Sequence, residues 1–167
     1  NYLIHGITGS GKTEVYMRLV EYYLSQGKEA IILVPEISLT PQTISRFQSR
    51  FGDEIAVLHS KLSISERYDQ LSLIKKSKVK IVVGARSAIF APFDNIGIIV
   101  VDEEHEASYK SEKNPKYDAI DIAMKRAELS GAKLVLGTAT PSIERMYRVY
   151  KKEIELIRLN KRATNSK

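Results

Sequence analysis

Short runs of apolar, mostly β-branched residues recur along this chain and are separated by longer helical stretches. They cover residues 2–5, 30–34, 55–58, 79–83, 96–101 and 134–136. The runs do not alternate with polar residues, which is typical of strands buried on both faces of a parallel sheet. Parallel strands need crossover connections, and the helices in those connections cover the sheet on both sides. The pattern therefore predicts an α/β domain in which a mainly parallel central sheet is the middle layer of a three-layer sandwich.

Helices are predicted in the intervening segments 12–26, 41–51, 63–78, 119–130 and 142–150. Glycine in a left-handed conformation commonly ends a helix. Gly27, Gly52 and Gly131 stand at three of the predicted helix ends, where they are expected to stop the helices.

The two ends of the sequence bear on domain organisation. Segment 153–159 is predicted to add an edge strand, and the polar segment 160–167 is predicted to be a linker. We expect one domain over residues 1–159. Because the sequence opens directly with a strand, we also expect the chain to be a piece of a longer protein.

The composition excludes several kinds of site. The 167 residues include no cysteine and three histidines, which excludes disulfides, thiol catalysis and cysteine-ligated zinc and disfavours a structural metal. Apolar runs reach about six residues, whereas a helix needs about 20 to cross a bilayer. No signal segment opens the chain. These features favour a cytoplasmic protein with no membrane partner.

The net charge of +6 is located almost entirely at one end. Residues 1–144 carry 18 basic and 18 acidic side chains, and residues 145–167 carry 8 basic and 2 acidic ones. A basic end is more often a solvated helix and linker than a binding surface. Charge alone therefore does not favour nucleic-acid binding.

The segment from Gly6 to Thr13 matches the phosphate-binding pattern G-x-x-x-x-G-K-[ST] between a predicted strand and a predicted helix. Glycines let the backbone bend so that N–H groups face phosphate oxygens, and the following helix contributes the positive end of its dipole. In this mechanism Lys12 holds the β- and γ-phosphates of ATP and Thr13 ligates Mg²⁺. The residues assigned to the nucleotide are Gly6, Thr8, Gly9, Ser10, Gly11, Lys12 and Thr13.

Two carboxylates follow the apolar run 96–101. Ligands bind at the carboxyl edge of open α/β sheets, so Asp102 at this edge can hold Mg²⁺ opposite Thr13. Glu103 is the predicted base for the attacking water. Acidic residues also favour the first turn of a helix, but the phosphate-binding pattern favours the catalytic interpretation. The predicted catalytic residues are therefore Lys12, Asp102 and Glu103.

One acidic box and four longer segments carry a resemblance to a known family. The residues Asp102-Glu103-Glu104-His105 form a D-E-x-H box, which together with the phosphate loop resembles the first motor domain of superfamily 2 helicases. The segments 9–16, 33–42, 84–92 and 137–142 resemble, in the same order, those of the PriA (primosomal protein N′) family of replication-restart helicases. The resemblance covers nearly the whole chain.

The resemblance implies a RecA-like P-loop NTPase fold and the ATP-binding motor lobe of a bacterial 3′ to 5′ DNA helicase. Such helicases restart stalled replication forks by primosome assembly, so forked or single-stranded DNA, a second motor lobe and primosome proteins are the implied partners. Residues 160–167 would lead toward that second lobe. The implied location is the cytoplasm, in association with the nucleoid, and the zinc module of the family is not expected in this chain.

Two alternatives stay open. One is a lobe of another superfamily 2 DNA translocase, and the other is a catalytically silent nucleotide-binding module. We expect the isolated chain to be inactive because two-lobed helicases take their arginine finger from the second lobe. Four arginines are expected to be surface or linker residues that do not face the site: Arg145, Arg148, Arg158 and Arg162.

The resemblance also assigns DNA contacts. Ser38, Thr40 and Gln42 follow a predicted strand, where they can bind DNA phosphates without recognising bases. Sequence alone would favour helix capping by Thr40, and the resemblance reverses that preference. Arg86 and Ser87 are assigned on the same basis. Two tyrosines of the loop 106–117, Tyr109 and Tyr117, are predicted to stack on bases, although Ile120 stands where the family usually has arginine.

Three further residues are implied to couple the nucleotide site to the DNA site. Thr138 and Thr140 follow the run 134–136, so they lie near the acidic box if these strands are neighbours, with His105 as their polar partner. Ser142 and its neighbours are also expected to cap the last helix. The pairs Tyr22–Tyr23 and Tyr147–Tyr150 lie at helical positions next to core-facing residues and are expected to have a packing role rather than a chemical one.

Overall fold

A seven-stranded, fully parallel sheet forms the centre of the molecule. The computed structural model describes residues 1–162. The strands in spatial order are β3 (Ile55–Leu58), β4 (Ile81–Gly84), β2 (Glu29–Leu33), β5 (Ile96–Val101), β8 (Lys133–Thr138), β1 (Tyr2–Gly6) and β9 (Glu155–Leu159). The predicted strands and the predicted edge strand are confirmed. A short antiparallel ribbon, β6 (Lys110–Ser111) with β7 (Tyr117–Asp118), was not predicted.

Five helices connect the strands. They are α1 (Lys12–Ser25), α2 (Pro41–Phe51), α3 (Ile64–Lys75), α4 (Ala119–Ser130) and α5 (Ile143–Tyr150). The three predicted helix stops are confirmed, since Gly27, Gly52 and Gly131 follow helices with φ values of 73°, 59° and 65°. α3 begins one residue later than predicted because Ser63 caps it in a reciprocal hydrogen-bond pair with Glu66. It ends at Lys75, three residues earlier than predicted, and Ser77 just beyond it has a positive φ of 52°. Within the described residues no helix has the length and apolarity needed to cross a membrane.

The helices cover both faces of the sheet, so the predicted three-layer sandwich is confirmed. On one face α1 and α2 bury Tyr16, Val20 and Phe47 against the strands. On the other face α3, α4 and α5 pack over a second apolar cluster that includes Ile99 and Leu136. The central strands are fully buried on both sides, as their continuous apolar runs require.

Three of the four tyrosines that are expected to have a packing role lie at the surface. Tyr22, Tyr147 and Tyr150 are 57%, 58% and 79% exposed. Tyr147 and Tyr150 stack on each other with ring centroids 6.5 Å apart, and Tyr22 meets the half-buried Tyr23 edge to face. These side chains pack on one another because their helix faces point away from the sheet.

Phe47 joins α2 to the sheet and gives a test of this packing. The side chain is 2% exposed, and replacing a buried phenylalanine by alanine usually costs about 3–5 kcal/mol. We expect Phe47→Ala to lower the free energy of unfolding by that amount in urea denaturation. The matched substitution Phe90→Ala removes a side chain that is 54% exposed and should cost less than about 1 kcal/mol. Equal losses would contradict the assignment of Phe47 to the core.

Candidate active site

The site lies where three adjacent strands end. β8 pairs with β5 on one side and with β1 on the other, and all three run in the same direction. The phosphate loop follows β1, the acidic box follows β5, and the segment 138–142 follows β8. The three segments therefore meet at one edge of the sheet, as expected if these strands were neighbours.

The phosphate loop bends at two glycines. Gly9 and Gly11 have φ values of 81° and 89°, a region that only glycine enters without strain. α1 begins directly after Gly11, and no described side chain caps its start. The first backbone N–H groups of α1 are therefore left without a side-chain cap at the opening of the loop.

Lys12 and Ser10 carry polar atoms into this loop. Lys12 is 7% exposed, and its ammonium donates to the carbonyl of Gly6 at 2.7 Å. The hydroxyl of Ser10 is buried and has no hydrogen-bond partner among the described residues. A buried polar group without a partner is costly. A hydrogen-bond acceptor bound in the loop could supply the partner that the Ser10 hydroxyl lacks.

A cavity of about 780 Å³ opens over the loop. It is lined by Thr8, Gly9, Gly11, Lys12, Thr13, Arg46, Asp102, Glu103 and Arg162. Seven of the nine belong to the residues predicted to bind the nucleotide or to act in catalysis; the other two are Arg46 and Arg162. The expectation that Arg162 does not face the site is wrong, because the chain after β9 brings this residue to the cavity.

These groups fit a nucleotide phosphate with Mg²⁺. Bent glycines, an uncapped helix start and a buried ammonium are donors suited to phosphate oxygens. The hydroxyl of Thr13 and the carboxylate of Asp102 both line the cavity, and oxygen ligands of these kinds are the ones that Mg²⁺ prefers.

Asp102 is held by two tyrosines. Tyr16 donates its hydroxyl to Oδ1 of Asp102 at 3.0 Å, and Tyr109 donates to the backbone carbonyl of Asp102 at 2.5 Å. Burial raises the pKa of Asp102, and the adjacent charge of Glu103 raises it further, whereas Tyr16 and the Lys12 ammonium lower it. Burial likewise raises the pKa values of Tyr16 and Tyr109, so both hydroxyls stay protonated donors.

Gly137 makes room for this arrangement. A Cβ atom at this position would overlap the hydroxyl of Tyr16 and lie 2.6 Å from its Cζ atom. The glycine at the end of β8 is therefore required by the close approach of the tyrosine that binds Asp102.

Glu103 connects the loops. Its φ is 46°, an uncommon left-handed value for a side chain of this kind. One carboxylate oxygen lies 3.5 Å from the ammonium of Lys12, and the other accepts from the N–H of Ala139 at 3.3 Å. His105 Nδ1 lies 3.6 Å from the same carboxylate. The predicted base therefore faces Lys12, the lysine predicted to bind phosphate.

The structure brings His105 and Thr138 together. The Nδ1 atom of His105 lies 2.8 Å from the hydroxyl of Thr138. That hydroxyl also accepts from the N–H of Thr140 at 3.1 Å. The side chain of Thr140 is exposed, so Thr140 enters this network through its backbone.

Sequence reasoning missed Glu104 and misplaced Arg145. Glu104 is 4% exposed and accepts from the backbone N–H and the hydroxyl of Ser142, at 2.8 and 3.0 Å. Arg145, expected at the surface, is 7% exposed and lies 3.7 Å from Glu104 and 3.7 Å from Asp121. The expectation failed because α5 presents Arg145 to the inside of the sandwich, where a buried carboxylate neutralises it. Ser142 also caps α5, as expected.

Three of the predicted DNA-contact residues lie around the start of α2, at the same edge of the sheet. Ser38 ends a short 3₁₀ turn and is half-buried, whereas Thr40 and Gln42 are exposed. Thr40 caps α2 by accepting from the N–H of Thr43 at 3.2 Å. Thr40 therefore has the capping role that sequence alone favours. Because Thr40 is also exposed, there is room for it to contact a phosphate as well.

Arg86 and Tyr117 lie together beside a second polar cavity. The guanidinium of Arg86 donates to the carbonyls of Ser108 and Lys110 and lies 5.7 Å from the ring centroid of Tyr117. The cavity measures about 280 Å³. Its lining is Glu36, Ser60, Arg67, Ala85, Arg86, Ser87, Ser108 and Tyr117.

The stacking role predicted for Tyr109 is wrong in this structure. The ring is 1% exposed because its hydroxyl is drawn inward to the carbonyl of Asp102. Tyr117 is half-buried and packs edge to face on Phe90 with centroids 5.2 Å apart. Of the two tyrosines, Tyr117 is the one whose ring reaches the surface.

The family model described as DEAD/DEAH box helicase matches residues 1–149. The chain belongs to the DEAD/DEAH box helicase family. This helicase domain is 54% identical over 164 residues to the replication restart protein PriA of Bacillus subtilis (strain 168), covering 98% of this chain and 20% of that protein. It is 48% identical to PriA of Synechocystis sp., covering 89% of this chain and 18% of that protein. The resemblance to the PriA family is confirmed, and the chain spans about a fifth of the length of these relatives.

Solved structures share the fold of this helicase domain. The helicase domain of Pyrococcus furiosus Hef superposes with a TM-score of 0.68 at 24% identity, over 95% of this chain and 35% of that one. A DEAD box protein from Methanococcus jannaschii gives 0.64 at 25% identity, over 95% and 46%. RecG bound to a three-way DNA junction gives 0.69 at 20% identity, over 99% and 21%. The predicted RecA-like fold is confirmed.

The buried pair of Arg145 and Glu104 gives a test of stability. Their side chains are 9% and 1% exposed, and removing one partner of a buried ion pair costs about 3–5 kcal/mol. We expect Arg145→Met to lower the free energy of unfolding by about that amount. The control Lys125→Met breaks a pair whose side chains are 63% and 69% exposed and should cost less than about 1 kcal/mol. Equal effects in urea denaturation would contradict the burial of Arg145.

The raised pKa of Asp102 predicts how stability depends on pH. A carboxylate whose pKa is higher in the folded state than in the unfolded state destabilises the fold at pH values above that pKa, and the penalty vanishes below the unfolded value. Asp102→Asn buries no charge. Its unfolding free energy relative to the parent should therefore be higher at pH 7 than at pH 3, measured by urea denaturation without divalent ions. The exposed substitution Asp69→Asn is the control, and a larger relative gain at pH 3 would contradict the argument.

Proposed function

We propose that this chain is the ATP-binding first motor lobe of a 3′ to 5′ DNA helicase that restarts stalled replication forks. The observation that carries the proposal is the convergence of two motifs, in which the Lys12 ammonium of the phosphate loop lies 3.5 Å from the Glu103 carboxylate of the acidic box. The likeness to PriA proteins over 98% of the chain supports the cellular role. Residues 160–167, of which 163–167 lie outside the described residues, would then lead toward the second lobe.

The cavity residues have distinct roles in binding and hydrolysis. Lys12, the loop glycines and the start of α1 bind the phosphates of ATP. Thr13 and Asp102 would hold Mg²⁺, which neutralises charge on the phosphate oxygens when bound. Tyr16 fixes the Asp102 carboxylate by its 3.0 Å hydrogen bond.

Glu103 is the proposed general base. Its carboxylate is oriented by Lys12 and by the N–H of Ala139, so it is placed to accept the proton of the attacking water. The hydrogen bond from Ala139 ties the base to the segment after β8. A shift of that segment would therefore change the orientation of Glu103, which is how we propose that DNA binding affects hydrolysis.

DNA is proposed to lie along the carboxyl edge on the side of β2 and β4. Thr40, Gln42 and Ser87 are exposed there, and Ser38 and Arg86 are half-buried. Hydroxyls, amides and a guanidinium of this kind bind phosphates without recognising sequence. The surface ring of Tyr117 could then stack on one base.

Coupling between the two regions is proposed to run through the segment after β8. His105 of the acidic box shares the hydroxyl of Thr138, and that hydroxyl also fixes the N–H of Thr140. We propose that these residues change contacts when nucleotide or DNA binds. Primosome proteins and the second lobe, which supplies the arginine finger, complete the proposed machine, and the isolated chain is expected to hydrolyse ATP poorly.

Lys12→Ala tests whether this chain binds nucleotide at the phosphate loop. A charge-assisted contact contributes about 1.5–3 kcal/mol, so the affinity for Mg-ATP should fall at least about tenfold. Titration of the chain with a fluorescent ATP analogue measures the change. Lys61→Ala removes an exposed lysine and should leave the affinity within about twofold. If the folded Lys12→Ala variant bound Mg-ATP as tightly as the parent, the assignment of the phosphate loop would be refuted. If the chain bound ATP but longer forms of the protein did not hydrolyse it, the catalytically silent nucleotide-binding module would be favoured.

Glu103→Gln separates binding from chemistry in the full-length protein. The amide keeps the shape of the side chain but cannot accept the proton of water. We expect Mg-ATP affinity to be retained while kcat falls at least about a hundredfold, measured by phosphate release with single-stranded DNA. A kcat within about threefold of the parent, less than about 1 kcal/mol of barrier, would show that another group is the base.

A further inference from the structure

Arg46 lines the phosphate cavity but belongs to no assigned motif. It lies in the second turn of α2 and is exposed. Its backbone carbonyl accepts from the hydroxyl of Ser49 at 2.9 Å. Over residues 1–162 its guanidinium has neither a hydrogen bond nor an ion pair. This cation therefore faces a cavity rich in phosphate-binding groups without a protein partner of its own.

A rigid helix positions Arg46. One turn further along α2, Arg50 binds Glu21 of α1 through two contacts of 2.5 and 2.9 Å and lies 3.6 Å from Glu14. Phe47, next to Arg46, is buried against the sheet. Residues four apart share one helix face, so the face that Arg50 fixes against α1 carries Arg46 one turn closer to the phosphate loop.

The negative charges at the cavity favour a second cation besides Lys12 for binding a nucleotide. Lys12 is partly neutralised by Glu103 at 3.5 Å, and Asp102 adds another negative charge at the same opening. A nucleoside triphosphate with Mg²⁺ still carries net negative charge. A guanidinium has five N–H donors in a planar fork that matches phosphate oxygens. Arg162 also lines the cavity, but it follows the last strand in irregular chain, whereas Arg46 is held by a packed helix.

We propose that Arg46 binds the phosphates of the nucleotide and is a second cationic binding residue of this site. The inference rests on the proposed function, because it takes the cavity ligand to be a nucleoside triphosphate. It adds a contact from α2, a helix that the phosphate-loop and acidic-box motifs do not include. The helix that begins at the proposed DNA contacts Thr40 and Gln42 then also contacts the nucleotide.

Titration of this chain with a fluorescent ATP analogue and Mg²⁺ tests the inference. Arg46→Ala should raise the Kd at least about fivefold at low salt, and the salt dependence of binding should become shallower because one ionic contact is gone. Arg46→Lys should restore part of the affinity, since the charge is kept without the fork. Arg18→Ala is the matched control: it removes the same charge from α1, where the Arg18 side chain is 74% exposed and pairs with Glu14, and should change the Kd less than twofold.

The outcomes separate this inference from the proposed function. If the parent binds and Lys12→Ala does not, but Arg46→Ala binds within twofold of the parent, the inference is wrong and the proposed function stands. If Arg18→Ala weakens binding as much as Arg46→Ala, the effect is one of net charge and the inference is also wrong. If the parent binds no nucleotide, the proposed function and the inference fall together. Circular dichroism confirms that each variant is folded.

Discussion

The pairing of β8 between β5 and β1 is the constraint on which the site depends. Parallel strands place all their carboxyl ends at one edge, and the registers of these three strands end the apolar runs side by side. The backbone hydrogen bonds between the strands therefore bring together the phosphate loop, the acidic box and the segment after β8. Side-chain contacts such as those of Lys12 with Glu103 and of His105 with Thr138 form within this arrangement. The stability of the fold comes from the buried faces of the strands, so it does not depend on which polar groups stand at the site.

Three consecutive carboxylates at this edge have different surroundings. Asp102 is fixed by a tyrosine hydroxyl, Glu103 by an ammonium and a backbone N–H, and Glu104 by Ser142 and a buried guanidinium. The positive φ of Glu103 turns the chain between its two neighbours. A left-handed backbone at a glutamate is unfavourable, and it persists here because Asp102 and Glu104 are each held by their own partners. The proposed base is thus oriented by the residues on both sides of it.

The sequence predicts the fold well because the fold follows from local patterns. Continuous apolar runs identified the strands, and glycines identified the helix ends. The phosphate loop and the acidic box could be placed for the same reason, since each lies directly after a strand. Arg145 and Tyr109 could not be predicted, because their burial depends on partners 41 and 7 residues away in the chain, Glu104 and Asp102. Arg46 was missed because only the packing of α2 against α1 shows which end of that helix reaches the cavity.

Gly137 and Tyr16 are packed so closely at the back of the site that a side chain at 137 would occupy the space of the Tyr16 hydroxyl. The missing Cβ of one leaves the space that the hydroxyl of the other fills, and that hydroxyl holds the Asp102 carboxylate. The two positions are 121 residues apart in the chain, yet neither can change in size independently of the other. A larger residue at 137 is compatible with the fold only if a side chain smaller than tyrosine stands at 16, and Asp102 then loses its hydroxyl donor. Natural variation at these two positions is accordingly expected to be correlated.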